Sequence, residues 1–185
     1  MTAEIVKGSL SAIARENNKT LAESWISVDA VILVDISLSM DDNDARNGLT
    51  RHAAAQEELD HLQHTLPGKL AIVAFSENCT FVPTGLLPPV QGGTDLAKAL
   101  RYIRMADKIP GMRFIVISDG QPQEEDAALD DARKFKNRID TVYIGPETGS
   151  GRAFLQRLAN LKNGQAMTKP QLKELASGIF GLLEA

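Results

Sequence analysis

Two short runs constrain this chain more than anything else in it: Val31-Ile32-Leu33-Val34 and Phe114-Ile115-Val116-Ile117. Each is apolar at every position and rich in β-branched side chains. A half-exposed strand alternates polar and apolar residues, so a run with no polar face belongs to a strand covered on both sides. A third run, Leu70-Ala71-Ile72-Val73-Ala74-Phe75, has the same character, and residues 79–82, 141–144 and 165–168 are weaker strand candidates.

Helical patterns fill the gaps. Residues 53–66 carry Leu59, Leu62 and Leu66 at spacings of three and four, which is one helical face. Similar stripes run through 95–106 (Leu96, Ala99, Leu100, Ile103), 124–137 (Ala128, Leu129, Ala132, Phe135) and 152–161 (Phe154, Leu155, Leu158). A last stripe, Leu172, Leu175, Ile179 and Leu182, follows Pro170, and a further helix is expected over 9–25. Breaks at Pro67-Gly68, Pro88-Pro89, Gly92-Gly93, Pro110-Gly111 and Gly145-Pro146 separate these elements. Strands alternating with helices imply an α/β, doubly wound, mostly parallel sheet with helices on both faces. The adjacent strands near 70 and 80 read as a hairpin, placing one antiparallel strand at an edge. The length of 185 residues suits one domain, read as 28–185, with residues 1–27 as a helical extension packed on it.

The chemistry concentrates in three segments. Asp35-Ile36-Ser37-Leu38-Ser39 follows the first apolar strand, Gly92-Gly93-Thr94-Asp95 opens a helix, and Ser118-Asp119-Gly120 follows the second apolar strand. All three fall at or beyond the C-terminal ends of strands, the edge where open α/β sheets bind ligands. Their side chains supply two carboxylates and three hydroxyls, all hard oxygen donors. Magnesium takes such donors in an octahedral array, and no sulfur or imidazole is present to favour a softer metal. Alternation in D-x-S-x-S lets Asp35, Ser37 and Ser39 point toward one place. The glycines before Thr94 and after Asp119 permit tight turns and close backbone approach.

These segments resemble the metal-ion-dependent adhesion site of von Willebrand factor A (VWA) domains, and the likeness extends from about residue 28 to 183. The resemblance implies a six-stranded doubly wound sheet with one antiparallel edge strand. It implies a Mg²⁺ ion, with Mn²⁺ or Ca²⁺ as substitutes, held by Asp35, Ser37, Ser39, Thr94 and Asp119. It also implies a protein partner whose Glu or Asp carboxylate completes the coordination. One departure stands inside the motif: Leu38 occupies a place where relatives often carry glycine.

Other features are weaker. Asp41, Asp42 and Asp44 crowd the following loop, but a single acid at Asp42 beside Asn43 rarely holds a second ion. His61 and His64 are three apart without a third placed ligand. Cys79 is the only cysteine, which excludes an internal disulfide, and no motif marks it as a nucleophile. Trp25 is expected to dock the N-terminal helix.

The net charge of −4, from 24 acidic and 20 basic residues, gives no support for nucleic-acid binding. No run approaches the roughly 20 apolar residues of a membrane span. Met1 to Leu10 lacks the pattern of a secretion signal, so a cytoplasmic, non-membrane protein is expected. The leading expectation is a metal-dependent protein-binding module, not an enzyme. A second is a regulatory or scaffold subunit beside a separate ATPase, since no P-loop pattern occurs here. A metal-dependent hydrolase ranks last, because no general base is placed by motif.

Overall fold

The structure, a computed structural model, describes residues 4–45, 48–146 and 149–168. In chain order the elements are α1 (Leu10–Glu16), α2 (Leu21–Trp25), β1 (Ala30–Asp35), α3 (Arg51–Thr65), β2 (Leu70–Phe75), β3 (Cys79–Phe81), α4 (Leu96–Ile103), β4 (Arg113–Ser118), α5 (Glu125–Arg133), β5 (Ile139–Tyr143), α6 (Gly151–Asn160) and β6 (Ala166–Thr168). The sheet has six strands in the order β3-β2-β1-β4-β5-β6, with only β3 antiparallel to its neighbour. The helix read over 171–183 lies outside the described residues.

The apolar runs are the inner strands, as their lack of a polar face requires. Alternate residues feed two cores. Val31, Leu33, Val73, Phe75, Phe114 and Val116 pack with α4, α5 and α6, whereas Ile32, Val34, Ile72, Ala74, Ile115 and Ile117 share a cluster with Ala55, Leu59 and Leu62 of α3. Full burial of one such side chain contributes roughly 1.5–3 kcal/mol, so this sandwich fixes the register of β1 against β2 and β4.

Several boundaries differ from the sequence reading for local reasons. The expected 9–25 helix is two helices, because Asn18 turns into the left-handed region at φ 52° and Thr20 opens a new capping box with Glu23. Trp25 then packs edge-on against Phe81, ring centroids 5.4 Å apart. The expected 95–106 helix stops at Ile103 and tightens into a 3-10 turn over Arg104–Lys108. The 124–137 helix stops at Arg133. One contact explains both ends: the buried Asp107 carboxylate accepts the backbone N–H groups of Lys136 (2.7 Å) and Asn137 (2.9 Å).

From β1 the chain builds outward through β2 and β3, then returns to place β4 on the other side of β1. The order therefore reverses between β1 and β4, and the C-terminal ends of those two strands flank a crevice of the kind that binds ligands.

Candidate metal centre at the ends of the central strands

Asp35 closes β1 and Ser118 closes β4, side by side at that crevice. The Ser118 hydroxyl donates to Asp35 Oδ2 at 2.6 Å and accepts the Gly120 N–H at 2.9 Å. The Ser37 N–H donates to Asp35 Oδ1 at 2.8 Å, which folds the D-x-S-x-S segment back over the strand end. The chain then enters a 3-10 turn, Leu38–Asp41, and the Ser37 and Ser39 hydroxyl oxygens stand 3.1 Å apart. Spacing along an extended segment predicted that Ser37 and Ser39 would share a direction; a tight turn achieves it instead.

Backbone bonds tie the second loop to the first. Gln91 N–H donates to Ile36 O at 2.7 Å, and Leu38 N–H donates to Gly92 O at 3.2 Å. Thr94 follows, buried, with its carbonyl accepting the Gln123 N–H from the loop after β4 at 3.0 Å. Asp95 caps α4 by accepting the Lys98 N–H at 2.8 Å, so Thr94 sits immediately before a helix start. The glycine beyond Asp119 is structurally required. Gly120 has φ +74°, and a Cβ there would collide with the Gly151 carbonyl.

Asp119 is 3% exposed. Its Oδ2 accepts a hydrogen bond from Arg51 Nη1 at 2.9 Å, while its Oδ1 is buried without a partner among the described residues. Asp35 is fully buried, and that burial pushes its carboxyl up to about 6, against the hydrogen bonds from Ser118 and Ser37 and with Asp119 adding repulsion. Two buried acids, a carboxylate oxygen without a partner among the described residues and clustered hydroxyls form a donor set suited to a hard divalent cation.

The structure thus links Asp35, Ser37, Ser39 and Asp119 at one strand edge and brings the Thr94 loop against them by main-chain bonds. Two neighbours escaped the sequence reading. Ser118 was visible in the motif but reads as a strand residue; its role as a bridge under Asp35 needs the β1–β4 pairing. Arg51 carries no motif at all. It is the first residue of α3, capped by Thr50, and its side chain is only 8% exposed. The acids at Asp42 and Asp44 were the available signal, since a crowded acidic loop calls for a cation. Asp42 lies 3.1 Å from Arg51 Nη2.

Elsewhere, His61 and His64 are exposed on α3, with His64 Nδ1 2.7 Å from the Asp60 carbonyl. Among the described residues no group of three or more His, Cys, Asp and Glu side chains is placed to hold a metal ion by itself, which leaves the hydroxyls as the further candidate ligands at this edge. Among the described residues, too, no helix is long and apolar enough to cross a membrane.

This sheet order, with its crevice between β1 and β4, is the fold of von Willebrand factor A domains. A VWA protein from Catenulispora acidiphila superposes with a TM-score of 0.64 at 22% identity, covering 83% of this chain and 42% of its own. An aerotolerance-related membrane protein from Bacteroides fragilis, carrying multiple mutations to serine, gives 0.63 at 18% identity, covering 85% and 98%. The manganese-loaded TRAP protein of Plasmodium vivax gives 0.61 at 18% identity, covering 85% and 73%. No family model matches the chain, and no curated protein matches it in sequence.

Proposed function

We propose that this chain is a divalent-cation-dependent protein-binding module, with Asp35, Ser37, Ser39, Thr94 and Asp119 holding Mg²⁺ or Mn²⁺. The observation that carries the reading is Asp119 Oδ1, buried without a partner among the described residues, on a carboxylate that Arg51 ties to the Ser37–Ser39 loop at the topological switch point. The manganese-loaded state of a similarly folded protein, Plasmodium vivax TRAP, supports it. Bound at this edge, a divalent cation supplies an electrophilic position for one further anionic oxygen, which a partner's Glu or Asp side chain provides. This chain's own residues do the rest. Ser118 and the Ser37 N–H hold the Asp35 carboxylate in place. Leu38, 63% exposed, offers an apolar contact beside the site.

Calorimetric titration with MnCl₂ and MgCl₂ tests the cation. The wild-type chain takes up one ion, and the Ser37→Ala/Ser39→Ala double variant does not; no uptake by the wild type sinks the reading. Capture of partners in Mg²⁺ and again in EDTA, with Asp119→Ala as control, tests the carboxylate step. Capture that survives EDTA would point instead to a regulatory scaffold whose contacts lie elsewhere.

A further inference from the structure

Arg51 sits where a cation is not needed for its helix. It is the first residue of α3, and a positive charge in a first helical turn is opposed by the helix dipole. Its placement must be held by acids, and each of its donor nitrogens is engaged by an oxygen. Nε donates to Asp44 Oδ1 (2.8 Å), and Nη1 donates to Ser39 O (3.1 Å) and Asp119 Oδ2 (2.9 Å). Nη2 donates to Asp44 Oδ2 (2.7 Å) and lies 3.1 Å from Asp42 Oδ2. One guanidinium therefore bolts the D-x-S-x-S loop to the end of β4. It also divides Asp119, engaging one oxygen and leaving the other without a partner.

We infer that Arg51 is a resident counter-cation of the metal centre: it holds the strand-end loops assembled without metal and weakens divalent-ion binding by competing for Asp119. This rests on the reading of Asp35, Ser37, Ser39, Thr94 and Asp119 as a metal site. A guanidinium is permanently charged and cannot step aside by losing a proton. An ion sharing Asp119 with it meets like charge in a buried setting, where salt screens little. Arg51 donates four hydrogen bonds within the chain and its Nη2 also pairs with Asp42, so its influence on the ion acts through Asp119. A merely structural bolt makes the opposite prediction: losing it would loosen the loops and weaken the ion.

The test is Mn²⁺ affinity by calorimetry and thermal melting in EDTA for the wild type, Arg51→Met and Arg51→Lys. Arg51→Met is expected to bind Mn²⁺ about tenfold or more tightly and to melt lower in EDTA, with the loss recovered on adding Mn²⁺. Arg51→Lys keeps the charge but not the fork, so its Mn²⁺ affinity stays near wild type while its melting temperature in EDTA falls. Unchanged or weaker Mn²⁺ binding by Arg51→Met overturns the inference while leaving the metal site standing. So does equal tightening by Arg51→Lys, since charge would then not be the cause. If Arg51→Met is unfolded in EDTA, folding on addition of Mn²⁺ supports the inference and failure to fold with Mn²⁺ overturns it. Mn²⁺ binding by Arg51→Met but not by the wild type supports the competition at Asp119 while overturning the proposal that the wild-type chain binds the ion. Absence of binding in both defeats this inference and the metal reading together.

Discussion

Asp119 and Asp140 are both buried, both bonded to an arginine, and both keep one carboxylate oxygen without a partner. They sit at opposite ends of the sheet. Asp140, near the start of β5, accepts Arg138 Nε at 2.7 Å and the Gln165 N–H at 2.7 Å, both on Oδ1. Its neighbour Arg138 Nη2 is itself buried without a partner among the described residues. Asp119 has a second buried carboxylate and the Ser37 and Ser39 hydroxyls as neighbours at the switch point, and its arginine is anchored separately by Asp44. An orphan oxygen alone does not make a candidate site; the company of hard donors at a crevice does.

That contrast can be broken experimentally, and the largest effect is expected on the structural side. Asp140→Ala removes a fully buried carboxylate from the quarter-exposed Arg138 and from the Gln165 N–H, and chemical denaturation should register a loss of about 3 kcal/mol, with Mn²⁺ affinity unchanged. Asp119→Ala should reverse the pattern. Mn²⁺ affinity falls about 100-fold, equivalent to about 2.7 kcal/mol, while the fold persists because Arg51 keeps Asp44. Equal effects of the two variants on metal uptake would erase the distinction. Ser118→Ala removes the bridge beneath Asp35 and should cost about 1–2 kcal/mol of stability, read from a urea midpoint. The smallest effect belongs to Leu38→Gly, where a 63% exposed side chain leaves the melting temperature of the free chain within about 0.5 kcal/mol equivalent of wild type. Any larger change at Leu38 should appear only in partner affinity.

Much of the fold was legible because its signals are local. The apolar runs of β1, β2 and β4 declared strands covered on both faces, and the short link between β2 and β3 declared the antiparallel edge. The helix ends were not legible. α4 and α5 both stop early because Asp107, remote in sequence from the backbone N–H groups it binds, draws them away from helical geometry. No periodicity within either helix contains that information.

By itself, the sequence determined the donors at the candidate centre: Asp35, Ser37 and Ser39 at alternate positions, Thr94 before a helix cap, and Asp119 between a strand and a glycine. Residue chemistry and spacing are properties of the chain, so they survive without coordinates. Only the tertiary structure decided what stands among them. The β1–β4 pairing put Ser118 under Asp35, and the start of α3 carried Arg51 into the acids from a position no motif marks. The physical reason is that both contacts join segments far apart in sequence, and their partners are chosen by sheet order and helix packing.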